Sequence, residues 1–281
     1  MKPARFAYLR AATTEHALEA LHRGGGEARV IAGGQSLVPM LTMRLARPAL
    51  LVDIMHVTAL NRVDDDGARI TVGAGVRQRA LETRNGLAKR QPLLAMALPW
   101  VGHMQTRSRG TVCGSVAHAD PSAELPLVLV ALGGQVHLRS GHRARRVTAQ
   151  EFFTGMMVTA RAEDELIEAV SVPAIRPGTG YAFREISRRH GDFAIAAFAA
   201  VADERGLRLA VGGVAAIPIS RVLPTDQAFG DALDAFAWDL DARDDLHASA
   251  RYRRELVRRI GRDVAQEALR DQKARAVQEG G

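Results

Sequence analysis

Residues 111–126 form a run of small, hydroxyl, imidazole and carboxylate side chains, and this run constrains the fold more than any other feature. Its small residues predict a tight backbone turn in which main-chain N–H groups can approach an anion. An apolar helix is predicted to follow at 127–132, while Asp120 and Glu124 can accept hydrogen bonds from sugar hydroxyl groups. A second run of this character, residues 31–37, follows a short apolar strand. Two such loops predict a site that grips one extended, phosphate-containing molecule.

The length and hydropathy of the chain predict a globular protein of two or three compact units. Its 281 residues can bury sizeable cores, and 47% of them are hydrophobic. No apolar run approaches the roughly 20 residues that a membrane-spanning helix requires, so no membrane span is expected. Residues 1–6 lack the apolar core of a secretory signal. We therefore expect the protein to reside in the cytoplasm.

The single cysteine and the positive charge limit the cofactors and partners. Cys113 alone cannot form an internal disulfide, and an iron–sulfur cluster takes about four thiolates, so any such cluster must sit on a partner. The net charge of +7 is spread along the chain, and only 5% of the residues are aromatic. Base-stacking platforms are therefore scarce, and no nucleic-acid partner is expected. A basic nucleic-acid binder is the most remote alternative.

Hydrophobic patterning divides the chain into two α/β lobes and a C-terminal unit. The lobes are predicted at about residues 1–57 and 58–175, and together they form a domain over 1–175. Residues 174–180, which contain proline and glycine, are the best linker candidate. The C-terminal domain is predicted over 178–281. Its predicted elements are strands at 181–186, 193–202 and 207–211 and a last helix at 248–274.

Three further features receive structural interpretations. The Gly-Ala-Gly turn at residues 73–75 imitates a dinucleotide fingerprint but lacks the third glycine, so a plain tight turn is predicted. His103 and His118 are interpreted as hydrogen-bonding loop residues, because no further ligand stands at metal-binding spacing. Cys113 is interpreted as a small buried filler. The sequence thus predicts no metal site and no catalytic acid, base or nucleophile.

Several motifs occur in the order found in one known family. Residues 32–36 (Ala-Gly-Gly-Gln-Ser), paired with 111–126 (Thr-Val-Cys-Gly-Ser-Val-Ala-His-Ala-Asp-Pro-Ser-Ala-Glu-Leu-Pro), resemble the FAD-binding medium subunits of molybdenum hydroxylases. This family includes the medium subunits of carbon monoxide dehydrogenase and of bacterial N-heterocycle dehydrogenases, and the central domain of xanthine dehydrogenase. Further similar segments span nearly the whole chain, at residues 105–110, 152–155, 164–167, 187–194 and 250–253.

The resemblance implies an α+β fold rather than a Rossmann fold. A two-lobed FAD-binding domain of the vanillyl-alcohol oxidase/p-cresol methylhydroxylase type would be followed by a C-terminal domain of a three-stranded sheet with helices. The residues it assigns to the cofactor are Val30, Ile31, Ala32, Gly33, Gly34, Gln35, Ser36, Leu37, Val101, Thr111, Val112, Cys113, Gly114, Ser115, His118, Asp120, Glu124, Ile167, Arg184 and Phe193.

The resemblance also implies a role for each group of these residues. The two glycine-bearing runs would cradle the FAD pyrophosphate, and Glu124 with Asp120 would hold ribose or ribityl hydroxyls. Val101 and Ile167 would lie against the rings, Arg184 near the isoalloxazine carbonyls, and Phe193 in a loop close to the ring. Two residues depart from the family pattern. Cys113 stands where many members have glycine, and Ser115 replaces a common asparagine or aspartate.

The function implied by the resemblance is electron transfer. The chain would carry FAD and receive electrons from [2Fe–2S] clusters on a small subunit, while a large molybdopterin subunit hydroxylates the substrate, with an aromatic N-heterocycle as one candidate. A dimer of heterotrimers is the expected assembly. The main alternative is a self-sufficient FAD-dependent oxidase of the vanillyl-alcohol oxidase type. An assembly subunit that has lost FAD is a further alternative.

Overall fold

The first lobe is a small parallel sheet of three strands, and its helix α1 packs against β2 and the central strand β3. The computed structural model describes residues 2–279, except for the side chains of residues 278 and 279. The outer ends of the two predicted domains, residues 1, 280 and 281, lie outside the described residues. The sheet has the order β1-β3-β2. Its elements are β1 (Ala7–Arg10), α1 (Thr14–Gly24), β2 (Ala28–Ile31), α2 (Leu37–Thr42) and β3 (Leu50–Asp53). Thr13 caps α1, since its hydroxyl accepts a hydrogen bond from the His16 N–H.

The second lobe is built on a five-stranded antiparallel sheet of order β4-β5-β10-β6-β7. The elements of this lobe are β4 (Val63–Asp65), β5 (Arg69–Gly73), α3 (Gln78–Glu82), α4 (Leu87–Arg90), α5 (Pro92–Ala97), α6 (Met104–Arg109), α7 (Val112–His118), α8 (Glu124–Ala131), β6 (Gln135–Arg139), β7 (Ala144–Thr148), α9 (Ala149–Phe152), β8 (Phe153–Gly155), β9 (Val158–Thr159) and β10 (Leu166–Pro173). Residues 135–139 and 145–147, with Ser140-Gly141 between them, predict an antiparallel pair of strands, and β6 and β7 form this pair.

The central run differs from its predicted form. Residues 112–118 are the helix α7 rather than a turn, and the helix α6, not a strand, precedes them. The cause is burial together with capping. Val112, Cys113 and Val116 are buried on the core side, and the Thr111 hydroxyl accepts a hydrogen bond from the Gly114 N–H at 3.0 Å. These contacts outweigh the low helix propensity of glycine and serine.

The C-terminal domain has four strands, so the prediction of a three-stranded sheet is wrong. Its elements are β11 (Gly180–Ile186), β12 (Ala196–Asp203), β13 (Gly206–Gly212), β14 (Ile219–Leu223), α10 (Phe229–Asp239) and α11 (Ala250–Glu279). The missed strand, β14, pairs antiparallel with β13 at the edge of the sheet. Of its five residues only Leu223 is buried, so it lacks the apolar alternation by which strands are recognised.

The two domains share packed surfaces. One face of the C-terminal sheet packs against α11, whereas α5 and α8 pack against the other face. Along β11, Tyr181 and Phe183 join the core of the first 175 residues, while Ala182 joins the core beneath α11. Odd-numbered positions of β11 therefore face the first 175 residues, because successive side chains of a strand point to opposite faces.

Candidate functional site

The first predicted loop is a half-buried turn at the carboxyl end of β2. Gly34 has a φ of 71°, a conformation that favours glycine, and the Gln35 side-chain amide donates a hydrogen bond to the Gly33 carbonyl at 2.9 Å. Ala32, Gly33, Gly34 and Ser36 are neither fully buried nor fully exposed. The turn therefore offers main-chain groups at an accessible surface, as its composition predicts.

The first glycine-bearing run approaches the main chain of the two residues that precede the second run. A Cβ atom built on Gly33 would lie 2.1 Å from the Arg109 carbonyl oxygen and 2.7 Å from the Gly110 Cα. Such a separation leaves no room for a side chain, so only glycine permits this approach. Gly110 immediately precedes Thr111, which begins the second run. The first run therefore lies directly against the residues that lead into the second run.

The second run is part buried and part accessible. Thr111, Val112 and Cys113 are buried, whereas Gly114, Ser115 and His118 are only partly buried. The Cys113 thiol contacts the Val72 carbonyl at 3.5 Å, and burial raises the pKa of this thiol to about 12. Cys113 is thus a protonated packing residue, in agreement with its predicted role as a filler.

The Gly-Ala-Gly turn at residues 73–75, predicted to be a plain tight turn, leads directly into residues that hold the second run in place. The Gln78 N–H donates to the Gly110 carbonyl at 2.8 Å, and the Val112 N–H donates to the Val76 carbonyl at 3.1 Å. The Gln78 side-chain amide also donates to the Thr111 carbonyl at 3.3 Å. Gln78 is therefore a positioning residue that was missed. The glycine-containing turn at residues 73–75 is the sequence feature that could have identified Gln78 as a positioning residue.

The segment after α7 ties the site to the C-terminal domain. The Asp120 carboxylate accepts a hydrogen bond from the Ser122 N–H at 2.8 Å, and the Gly213 N–H of the C-terminal domain donates to the Pro121 carbonyl at 2.7 Å. Glu124 begins α8 and is 6% exposed. Burial raises the pKa of Glu124 to about 7, and the charge of Asp120 adds to this effect.

Val101 and Phe193 come from different domains but lie in neighbouring segments. The Val101 and Gly102 carbonyls accept hydrogen bonds from the buried Arg107 guanidinium, which also pairs with Glu82 at 2.9 Å. A Cβ on Gly191 would meet the His103 ring at 2.6 Å, so the β11–β12 loop lies against this turn. Phe193, in the same loop, is 74% exposed.

The Trp100 and His190 rings add a second contact between these segments, with centroids 4.9 Å apart. Ile167 is placed differently, in the hydrophobic core at an irregularity of β10. The structure thus brings Val101 and the Phe193 loop together, and it places Ile167 in strand β10 within the core.

Arg184, which the family resemblance places near the isoalloxazine carbonyls, forms ion pairs with α11. Its guanidinium pairs with Asp263 at 3.5 Å and with Glu267 at 3.1 Å, both on α11. Arg184 therefore lies on the face of β11 that points away from the glycine-bearing runs. The next residue, Glu185, lies on the face toward them, because neighbouring strand residues alternate.

Among residues 2–279, no group of three or more His, Cys, Asp or Glu side chains is arranged to hold a metal ion. In the same residues no helix is both long and apolar enough to cross a membrane.

This geometry agrees with a family profile described as the FAD binding domain in molybdopterin dehydrogenase, which matches residues 4–175. A relative in Paenarthrobacter nicotinovorans, the 6-hydroxypseudooxynicotine dehydrogenase complex subunit alpha, is 39% identical over 96% of each chain. The nicotine 6-hydroxylase medium subunit of the same organism is 37% identical over 86% of this chain and 90% of its own.

Solved structures show the same similarity over nearly the full length. A chain of carbon monoxide dehydrogenase from Hydrogenophaga pseudoflava superposes with a TM-score of 0.89 and 30% identity, covering 98% of this chain and 99% of its own. A chain of quinoline 2-oxidoreductase from Pseudomonas putida 86 gives a TM-score of 0.88 and 31% identity, covering 98% and 100%. The similarity therefore includes the C-terminal domain as well as the two lobes.

Proposed function

The chain belongs to the FAD-binding family of the molybdopterin dehydrogenases, and on this premise we propose that it is the FAD-carrying medium subunit of a heterotrimeric molybdenum hydroxylase. It would accept electrons from [2Fe–2S] clusters on a small subunit and pass them to an external acceptor, while a large molybdopterin subunit hydroxylates the substrate. The observation that carries the proposal is the contact of Gly33 with Arg109 and Gly110, because it joins the two glycine-bearing runs into one cradle.

The residues of the cradle fit FAD in two respects. Around the Gly33 contact, Gly34, Gly114 and Ser115 are small and partly accessible, so main-chain N–H groups can approach a pyrophosphate without obstruction by side chains. Beside the cradle, Glu124 is a buried carboxyl group that can accept hydrogen bonds from ribose or ribityl hydroxyls. The chain also supplies rigid neighbours, since Gln78 fixes the second run through main-chain hydrogen bonds.

In this proposal the protein contributes binding and orientation rather than a reacting side chain. When bound, FAD supplies a group that exchanges electrons with both one-electron and two-electron partners. The runs at residues 30–37 and 111–115 hold the diphosphate, Glu124 and Asp120 hold the hydroxyls, and Val101 and Phe193 border the ring system. Ile167 would support the ring from the sheet. Arg184, paired with α11, would act only indirectly through the position of β11.

The substrate class is proposed from the names of the relatives. Nicotine 6-hydroxylase, caffeine dehydrogenase of a Pseudomonas strain and quinoline 2-oxidoreductase each carry the name of an N-heterocyclic compound. The glyceraldehyde dehydrogenase medium chain of Sulfolobus acidocaldarius, at 32% identity, has a name from a different substrate class. We propose an aromatic N-heterocycle as substrate of the complex and a dimer of heterotrimers as its assembly.

The proposal is tested by purifying the chain from its native host with its partners attached. We expect FAD on this chain, iron and acid-labile sulfide on a small subunit, and molybdenum on a large one. Light scattering would measure the mass of the complex, and a single heterotrimer would contradict the proposed dimer. If the isolated chain instead turned over phenols or alcohols without partners, the vanillyl-alcohol oxidase alternative would be correct. A chain that takes up no added flavin would support the assembly-subunit alternative.

A further inference from the structure

The short helix α3 is bonded to a different part of the candidate site at each of its ends. At its start, Gln78 holds the second run through the Gly110 carbonyl at 2.8 Å and the Thr111 carbonyl at 3.3 Å. At its end, the Glu82 carboxylate accepts hydrogen bonds from the Arg107 guanidinium at 2.9 Å and 3.3 Å. A movement at one end of α3 therefore disturbs a different set of contacts from a movement at the other.

Arg107 is held rigidly, and it fixes the turn at residues 100–103. The Arg107 side chain is 9% exposed and that of Glu82 is 13% exposed, so this ion pair is largely removed from water. Two nitrogens of the guanidinium bind Glu82, and the third donates to the Val101 carbonyl at 3.1 Å and to the Gly102 carbonyl at 2.9 Å. All three nitrogens thus have acceptors. Only the planar fork of an arginine can bind a carboxylate and two carbonyls at once.

The 100–103 turn also carries the contact with the C-terminal domain. The Trp100 ring lies 4.9 Å from the His190 ring, measured between centroids. Gly191, which has a φ of 88°, lies so close to His103 that a Cβ would be 2.6 Å from the His103 ring. The β11–β12 loop, which includes Phe193, therefore rests on the turn that Arg107 fixes. Displacement of Arg107 would move both of these segments together.

We propose that Arg107, held by Glu82, is a positioning residue for the flavin ring of bound FAD. It fixes Val101 directly, and it fixes the loop that carries Phe193 through the 100–103 turn. This inference rests on the proposed function, in which these two segments border the ring. Gln78, at the other end of α3, fixes the diphosphate half of the site. The two halves of FAD should therefore respond to different substitutions.

The test compares the affinities of FAD and ADP for the full-length apoprotein, measured by isothermal titration calorimetry. ADP has the adenosine and the diphosphate of FAD but no flavin ring, so the ratio of the two affinities reports the contribution of the ring half. Arg107→Lys keeps the charge but not the planar fork. It should lower this ratio by about tenfold, while the affinity for ADP stays within about twofold of the wild type. The absorption spectrum and the reduction potential of bound FAD should shift as well.

Gln78→Met is the matched variant at the other end of α3. Methionine fills a similar volume but has no amide donor for the Thr111 carbonyl. The affinities for ADP and FAD should therefore fall together, and their ratio and the reduction potential of bound FAD should remain those of the wild type. Arg145→Lys is a second control, because it alters an ion pair with Glu165 on strand β7 and should leave both affinities unchanged.

The outcomes separate this inference from the proposed function. Equal losses of FAD and ADP affinity in Arg107→Lys, or no loss of either, would overturn the inference. If that variant does not fold, Glu82→Gln decides, because it retains an acceptor for Arg107 but removes the charge, and it should lower the ratio in the same direction. An unchanged ratio in Glu82→Gln would then overturn the inference. A wild-type chain that binds no FAD would instead reject the proposed function.

Discussion

The two sides of the candidate site are built from different parts of the polypeptide. At the lobe contact, Gly33 meets Arg109 and Gly110, and the approach is between main-chain atoms. At the carboxyl pair, Glu124 and Glu185 are both buried, and burial together with the charge of Glu124 raises the pKa of Glu185. The lobe contact involves only main-chain atoms, which do not titrate, whereas the carboxyl pair consists of two titratable side chains. We therefore expect the lobe contact to respond to added volume and the carboxyl pair to respond to pH.

The largest effect is expected from Gly33→Ala. The new methyl group would overlap the Arg109 carbonyl, which is main chain and cannot move aside as a flexible side chain would. Overpacking of this kind costs about 3 kcal/mol at the upper end of its usual range. The free energy of unfolding from urea titration should fall by about that amount, and the flavin content of the purified protein should fall with it.

Gly141→Ala is the matched control for Gly33→Ala. Gly141 lies in the turn between β6 and β7, and a Cβ there meets nothing within 4 Å. Its substitution should change the free energy of unfolding by less than about 0.5 kcal/mol. Equal stability of the two variants would show that the lobe contact is looser than the structure indicates.

The next effect concerns the pH dependence of stability at the carboxyl pair. The pKa of Glu185 rises from 4.5 in the unfolded chain to about 8, so the folded state holds the additional proton between these values. The resulting stabilisation is complete below about pH 4.5 and is lost as the pH rises to about 8, so the free energy of unfolding should decrease with pH over this range. Glu185→Gln should remove this slope, as urea titrations at a series of pH values would measure. An unchanged slope would contradict the assignment.

Glu165 should show the opposite pH dependence of stability from Glu185, because its pKa is lowered rather than raised. It is also buried, but the Arg145 guanidinium pairs with it at 2.6 Å and lowers its pKa below 4.5. The stability that it contributes is present above about pH 4.5 and is lost as the pH falls through the lowered pKa. Glu165→Gln should therefore cost about 2 kcal/mol near neutral pH, the scale of a hydrogen bond to a charged group, and less in acid. The same urea titrations would show a loss that shrinks, rather than grows, toward low pH.

The sequence predicted the parts of this site that depend on local chemistry. The turn at Gly34 and the β6–β7 hairpin follow from glycine and from alternating apolar residues. The helix α7 was missed because Gly114 and Ser115 are weak helix formers, and its stability comes from burial against distant strands. Contacts with residues distant in the sequence therefore stabilise α7. They also stabilise β14, which pairs with β13 although its residues do not alternate between apolar and polar.

The positions of the side chains on β11 were harder to predict from the sequence. Arg184 and Glu185 are neighbours, and a shift of one position decides which of them faces the cradle. No local pattern determines that choice, because it depends on the pairing of β11 with β12 and on the packing of α11. The absence of hydrogen-bond partners for Glu185 among the described residues depends in turn on which residues α5 and α8 bring to the junction. Such information exists only once the chain is folded.

The smallest effect is expected from Thr111→Ala, and it tests how far the lobe contact depends on main-chain atoms alone. The Thr111 hydroxyl caps α7 by accepting the Gly114 N–H at 3.0 Å, and loss of such a cap costs about 1 kcal/mol. Thr111→Ser keeps the hydroxyl and should retain nearly all of this stability in urea titration. Because the Gly33 approach is made to Arg109 and Gly110 rather than to the cap, flavin affinity should change less in Thr111→Ala than in Gly33→Ala. If Thr111→Ala instead lost flavin as completely as Gly33→Ala, the side-chain cap, and not the close main-chain approach, would be what shapes this half of the cradle.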